Sequence, residues 1–213
     1  MRSLSWSDSK TIGLLKSTLH NGGVILAKGD TVLGLLADLS EKGRTELDHI
    51  KSRSKKPYLL LVGDNKKALN RIETDKYNIF QIEKLMNICW PGPVTFIFHA
   101  KSGLVPYSKS IEDTVALRIP DHAGLLQLLE DLDGLFSTSA NQAGEPVPST
   151  IEDLDSAIME SVAGVVFDDV YQKPPLSLPS TIIDCTGERM VIVREGAFDI
   201  NKLANMMDTK LLS

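Results

Sequence analysis

The chain has 213 residues, is 42% hydrophobic and carries a formal net charge of −5. That is enough apolar matter for one large core, and it argues against wholesale coating of nucleic acid, though not against a local basic groove. Cys89 and Cys185 have neither CxxC nor Cys–His spacing, so no disulfide or zinc frame is expected and a reducing compartment fits.

The opening residues MRSLSWSDSK lack the apolar core of a signal peptide, and no apolar run approaches membrane-span length. The expectation is a cytoplasmic protein without a membrane partner. Ser7-Asp8-Ser9 can cap a helix to about His20, with Ile12, Leu15 and Leu19 at helical spacing. Asn21-Gly22-Gly23 ends it. Residues 24–27 read as a buried strand, Lys28-Gly29-Asp30-Thr31 as a polar turn, and 32–38 as an apolar run. Gly34 inside that run signals close backbone approach.

Residues 46–53 read as a helix that delivers the basic cluster Lys51, Arg53, Lys55 and Lys56, stopped by Pro57. A strand at 58–62 follows, and Gly63-Asp64-Asn65 opens another helix. A longer helix at about 75–88 runs into the rigid corner Cys89-Trp90-Pro91-Gly92-Pro93. Residues 94–99 and 114–119 are strands separated by a loop at 101–110. Asp121 is the expected cap of a helix at 123–132. An apolar lead-in, Gly134-Leu135-Phe136, then ends in Ser137, Thr138, Ser139 and Asn141, followed by Gly144 and two prolines. A strand with that ending presents short polar groups at a sheet edge, where ligands of α/β proteins sit; Ser, Asn and Gly are also ordinary turn residues. A helix at 151–162, a strand at 165–167, a loop at 170–179, paired strands at 181–185 and 190–194, and a helix at 199–207 complete the reading.

Helices and strands alternate early, and strands pair locally late. The expected fold is α/β: one domain over 8–207 with a twisted mixed sheet and flanking helices, residues 1–22 supplying its N-terminal helix. Chemistry is less determined. The basic cluster is either a solvated helix end or a polyphosphate clamp. Arg118, on a short apolar strand between Leu117 and Ile119, needs a carboxylate or phosphate, internal or a ligand's. Arg194 raises the same question. There is no Walker A, GxGxxG or GxSxG sequence. His20, His49, His99 and His122 lack ligand spacing and read as structural or surface residues, and Asp168-Asp169 as an acidic loop.

Seven segments then fall in order: Gly-Asp-Thr-Val-x-Gly-Leu from Gly29, Lys-x-Arg at Lys51 and Arg53 before Lys56-Pro57, WPGPVT, VALRIP, STSANxxGEP, PSTIID and VREGAF. Over roughly 23–198 the chain resembles the YrdC-like domain family, whose characterised members are threonylcarbamoyl-AMP synthases; its length matches the short, TsaC-type form. The resemblance implies a deep, positively charged cavity in a twisted α/β sheet, and a nucleotidyltransferase reaction. L-threonine and bicarbonate give N-carboxythreonine, which attacks the α-phosphorus of ATP and yields threonylcarbamoyl-AMP and pyrophosphate for t6A modification in tRNA processing. Mg2+ is implied with ATP, with no metal held by the protein. The implied partners are ATP, L-threonine and bicarbonate, with tRNA and t6A-pathway transferase proteins beyond them.

Carried over residue by residue, the resemblance assigns ATP binding to Lys51, Arg53, Lys56, Thr114, Asn141, Ser149 and Arg194. Threonine binding falls on Thr31, Arg118, Ser139 and Ser180. Lys55 can share the role of Lys56. The chain departs from the family at Lys28-Gly29, where Pro-Thr is usual, at Leu33, where an aromatic ring is usual, and at Leu61, often histidine or polar. A hydroxyl and a ring lost from a pocket would alter discrimination. The alternative is a paralogue of the same fold that binds nucleotide or RNA, double-stranded RNA or tRNA included, without threonylcarbamoylation.

Overall fold

A computed structural model describes residues 2–52, 57–103, 113–142, 144–167 and 178–201. Its apolar runs become ten short strands of one sheet. These are β1 (Arg2–Ser5), β2 (Ile25–Lys28), β3 (Leu33–Asp38), β4 (Leu59–Leu61) and β5 (Val94–His99), then β6 (Thr114–Arg118), β7 (Leu135–Ser139), β8 (Gly164–Phe167), β9 (Thr181–Asp184) and β10 (Val191–Arg194). The order across the sheet is β1-β8-β2-β3-β7-β4-β6-β5-β9-β10. The pairs β1–β8, β2–β8, β4–β6 and β5–β9 are parallel, and the other neighbours are antiparallel. The expected mixed sheet is therefore present.

Six α-helices among the described residues pack on it: α1 (Thr11–His20), α2 (Glu41–Ile50), α3 (Asn65–Leu69), α4 (Ile79–Cys89), α5 (Ala123–Leu129) and α6 (Ser156–Ser161). Strand alternation sends Leu35, Leu60, Phe96, Leu117, Phe136 and Ile183 to one face. There they form the larger core with Leu47 of α2, Met86 of α4 and Ile158 of α6. The opposite face carries Ile25, Leu36, Leu61 and Leu135 under Leu15 and Leu19 of α1 and Leu125 and Leu128 of α5. These two helices cover only part of that face. The part they leave open is where the candidate site lies.

Several boundaries differ from expectation, each for a local reason. The N-terminal 22 residues hold a strand as well as a helix: β1 pairs with β8, a long-range partnership that four residues cannot signal. The N-cap position of α1 is Lys10, without a side-chain cap; Asp8 instead makes the preceding turn, accepting from the Lys10 N–H at 2.9 Å. Helix α2 starts five residues early because Ser40 Oγ accepts from the Gly43 N–H at 3.0 Å. Gly43 obscures that first turn in sequence, yet a Cβ there would meet Asp38 Oδ1 at 2.5 Å. Asn78 caps α4, and Thr74–Lys76 forms a separate 3-10 turn.

At α5 the cap is His122, not Asp121. Its Nδ1 accepts from the Leu125 N–H at 3.2 Å, while the Asp121 N–H donates to Asp30. The corner after α4 contains a cis Trp90–Pro91 peptide bond. The expected helix at 199–207, most of the loop at 170–179 and Asp168-Asp169 lie wholly or mostly outside the described residues. No described helix is long and apolar enough to cross a membrane.

Candidate active site

The open part of the sheet face forms the floor of a cavity of about 410 Å3. Seven neighbouring strands reach it: Gly34 on β3, Ser137 and Ser139 on β7, Leu59 on β4, Ala116 and Arg118 on β6, Thr95 and Ile97 on β5, Ile182 on β9, and Arg194 on β10. Small side chains on this face leave the volume that leucines fill under α1 and α5. Thr31, Ser180 and Val147 close the sides. The lining has two arginines and, among the described residues, no carboxylate.

Arg118 is 5% exposed, and each of its three nitrogens has a fixed partner. Its Nε donates to the Gly92 carbonyl at 2.9 Å, Nη1 to Thr31 Oγ1 at 2.9 Å, and Nη2 to Asp30 Oδ1 at 2.5 Å. The internal carboxylate that the sequence left open is therefore Asp30, itself 3% exposed. Among the described residues three of the five guanidinium N–H hydrogens are used, which leaves two for a ligand.

Ser180 is equally well held. Its hydroxyl lies 2.8 Å from Thr95 Oγ1, and both residues are buried. Its carbonyl accepts from Arg194 Nε at 3.1 Å and Nη2 at 2.8 Å, and its hydroxyl lies 3.3 Å from Arg194 Nη2. Arg194 thus folds inward from the exposed β10. Burial first, and the Arg118 charge second, pull its guanidinium below the ordinary arginine value.

The loop after β7 makes the boundary between this inner cavity and an outer one of about 670 Å3. The outer cavity takes Asn141, Gln142 and Ser149 with the acidic side chains Glu145, Asp153 and Asp155. Val147 lines both. Ser139 Oγ donates to Asn141 Oδ1 at 2.6 Å, which locks the corner between them. Lys51, at the C-cap of α2, secures the same corner from beneath. Its ammonium donates to the carbonyls of Ser139, at 2.8 Å, and Asn141, and approaches Asn141 Oδ1 at 3.3 Å.

The sequence-derived site residues therefore divide. Thr31, Arg118, Ser139 and Ser180 line the inner cavity together with Arg194. Asn141 and Ser149 line the outer one. Lys51 lies behind the loop, 2% exposed, and lines neither; a triphosphate could take its ammonium only by drawing it off two carbonyls. Thr114 shares a strand face with Ala116 and Arg118 but sits outside the lining. Arg53, Lys55 and Lys56 lie outside the described residues.

Among the departures, Leu33 is 2% exposed in the larger core and Leu61 3% exposed under α5, so neither faces the cavity. The lining residue on β4 is Leu59. Two contributors were missed. Asp30 reads as a turn residue in sequence. Thr95, the last residue of WPGPVT, could have been found from alternation along β5, which puts it on the face opposite Phe96.

The family model Sua5_yciO_yrdC, described as "Telomere recombination", matches residues 17–196. A Methanocaldococcus jannaschii protein named "Putative threonylcarbamoyl-AMP synthase" is 32% identical over 197 residues, covering 92% of this chain and 90% of that one. P. abyssi Sua5 complexed with L-threonine superposes with a TM-score of 0.85 at 21% identity; the match covers 100% of this chain and 62% of that one. E. coli YciO superposes with a TM-score of 0.77 at 20% identity, covering 94% and 97%. At these identities the two structural matches speak for the fold.

Proposed function

Because the chain belongs to the Sua5/YciO/YrdC family, we propose that it is an L-threonylcarbamoyl-AMP synthase acting in t6A formation. The observation that carries this reading is the convergence of Thr31, Arg118, Ser139 and Ser180 on one cavity. All four are positions that the family resemblance assigns to threonine. The departures at Leu33 and Leu61 fall in the cores, so they take no polar group out of that cavity.

In this reading L-threonine occupies the inner cavity with its carboxylate on Arg118. Ser139, Ser180 and Thr31 supply short hydroxyls around it. ATP spans the rim and the outer cavity, on Arg194, Asn141 and Ser149, with Arg53 and Lys56 as the further phosphate cations; Lys51 serves it by holding the corner that carries Ser139 and Asn141, and Thr114 stands beyond the lining. Mg2+ bound to the triphosphate would offset part of its charge, and Glu145, Asp153 and Asp155 of the outer cavity would meet its hydration shell. Threonine and bicarbonate form N-carboxythreonine and water. The new carboxylate oxygen bonds to the α-phosphorus as the bond to pyrophosphate breaks. The task for the chain is charge management, since an anion must approach a polyanion in a partly enclosed site.

The deciding experiment measures pyrophosphate release from ATP and bicarbonate with each of the twenty amino acids. Threonine should be the best substrate. Release that ignores the amino acid, or that favours a different one, overturns the assignment. Salt-dependent RNA binding without release would favour the paralogue that binds but does not react.

A further inference from the structure

We infer that Asp30 is a positioning residue for the amino-acid carboxylate, acting through Arg118. This rests on the synthase reading above. Asp30 uses both oxygens: Oδ1 accepts from Arg118 Nη2 at 2.5 Å, and Oδ2 accepts from the Asp121 N–H at 3.0 Å. The next residue, Thr31, takes Arg118 Nη1 at 2.9 Å, and Gly92 takes Nε at 2.9 Å. One guanidinium is thereby fixed from the turn before β3 and from the corner after α4. The carboxylate fixing it is itself tied to the junction after β6.

The cost of that arrangement is the reason to assign it a role. A buried ion pair gains little over apolar packing, because desolvation of both charges offsets their attraction. Here the pair sits at a cavity wall rather than in a core, and among the described residues two N–H hydrogens of Arg118 are unused there. A carboxylate binds arginine best through two parallel N–H bonds, which requires the fork to be held at one angle. An unanchored arginine would lose considerable rotamer freedom on binding; Asp30 removes that loss in advance. Because Asp30 balances the charge of Arg118, direction rather than net charge is what this arginine offers the ligand.

The test is steady-state pyrophosphate release by the full chain, titrating threonine and ATP separately, for the wild type, Asp30→Asn and Asp30→Glu, with thermal denaturation of each. Asp30→Asn keeps the shape but cannot accept at both ends. It should raise the threonine KM by about tenfold or more and leave the ATP KM within about twofold. Asp30→Glu keeps the charge and should fall between. Equal changes in both KM values, or folded variants with wild-type threonine KM, make Asp30 structural and overturn the inference alone. So does failure of both variants to fold. A wild-type protein with no threonine-dependent release overturns the synthase reading and the inference with it.

Discussion

The hydroxyls of Thr95 and Ser180 lie 2.8 Å apart in the wall of the inner cavity, joining β5 to the start of β9. Thr95 has no solvent exposure, so its hydroxyl depends on that bond. Ser180→Ala removes it and also one of the three contacts with Arg194. The stability cost should be about 1–3 kcal/mol, the usual range for leaving a buried hydroxyl unpaired. Threonine KM should rise, while Arg194 stays tethered through the Ser180 carbonyl. Chemical denaturation and a threonine titration measure the two effects.

Lys51→Met should damage the fold as well as activity. The stem remains, but the carbonyls of Ser139 and Asn141 lose their charged donor. Hydrogen bonds to charged groups contribute about 1.5–3 kcal/mol, so the melting temperature should fall by about 5–10 °C. Pyrophosphate release should fall with it, because the corner carrying Ser139 and Asn141 loosens. Calorimetry with an activity assay at 20 °C below the variant's midpoint, an interval of roughly the size needed to keep it folded, separates the two losses. Full stability with abolished release would instead make Lys51 a phosphate ligand alone.

Gly34→Val should fold and block. A Cβ there would meet Thr138 O at 3.4 Å and Ala27 O at 3.9 Å, which is ordinary contact. A β-branched residue also suits a strand better than glycine does. The added methyls point onto the cavity floor. Stability should stay within about 1 kcal/mol of wild type, and substrate binding should weaken. Isothermal titration with L-threonine is the direct readout.

Leu33→Tyr should not improve threonine use. The residue is buried in the larger core, so the ring would be forced among Leu35, Leu47 and their neighbours. Overpacking of that kind costs about 1–3 kcal/mol. A gain in kcat/KM for threonine would show that position 33 reaches the cavity.

What the sequence made legible follows from how local each signal is. Arg118 stood out because a charge interrupts an apolar strand, and Ser137 and Ser139 because hydroxyls end a strand; Ser180, just before β9, came only from the family resemblance. The parity of β3 was also readable: Gly34 and Leu36 share a face, and Leu33 and Leu35 share the other. Attending to that parity would have placed Leu33 in the core. Asp30 was not readable, since its partner is 88 residues away and a carboxylate in a turn is common. The burial of Lys51 was not readable, because lysine at a helix end is usually solvated; only the folded loop supplies carbonyls that can bury it. His122 could have been recognised only from the competing use of Asp121.

The two edges of the sheet have a practical consequence. Strand β1 borders one side and β10 the other, with eight strands between them. At about 4.8 Å per strand spacing they lie roughly 43 Å apart along the sheet. A fluorophore attached at the exposed Ser3 would thus be a silent label, usable for tracking or immobilising the protein. One attached at Val193, beside Arg194, would sit next to the mouth of the cavity and report its occupation.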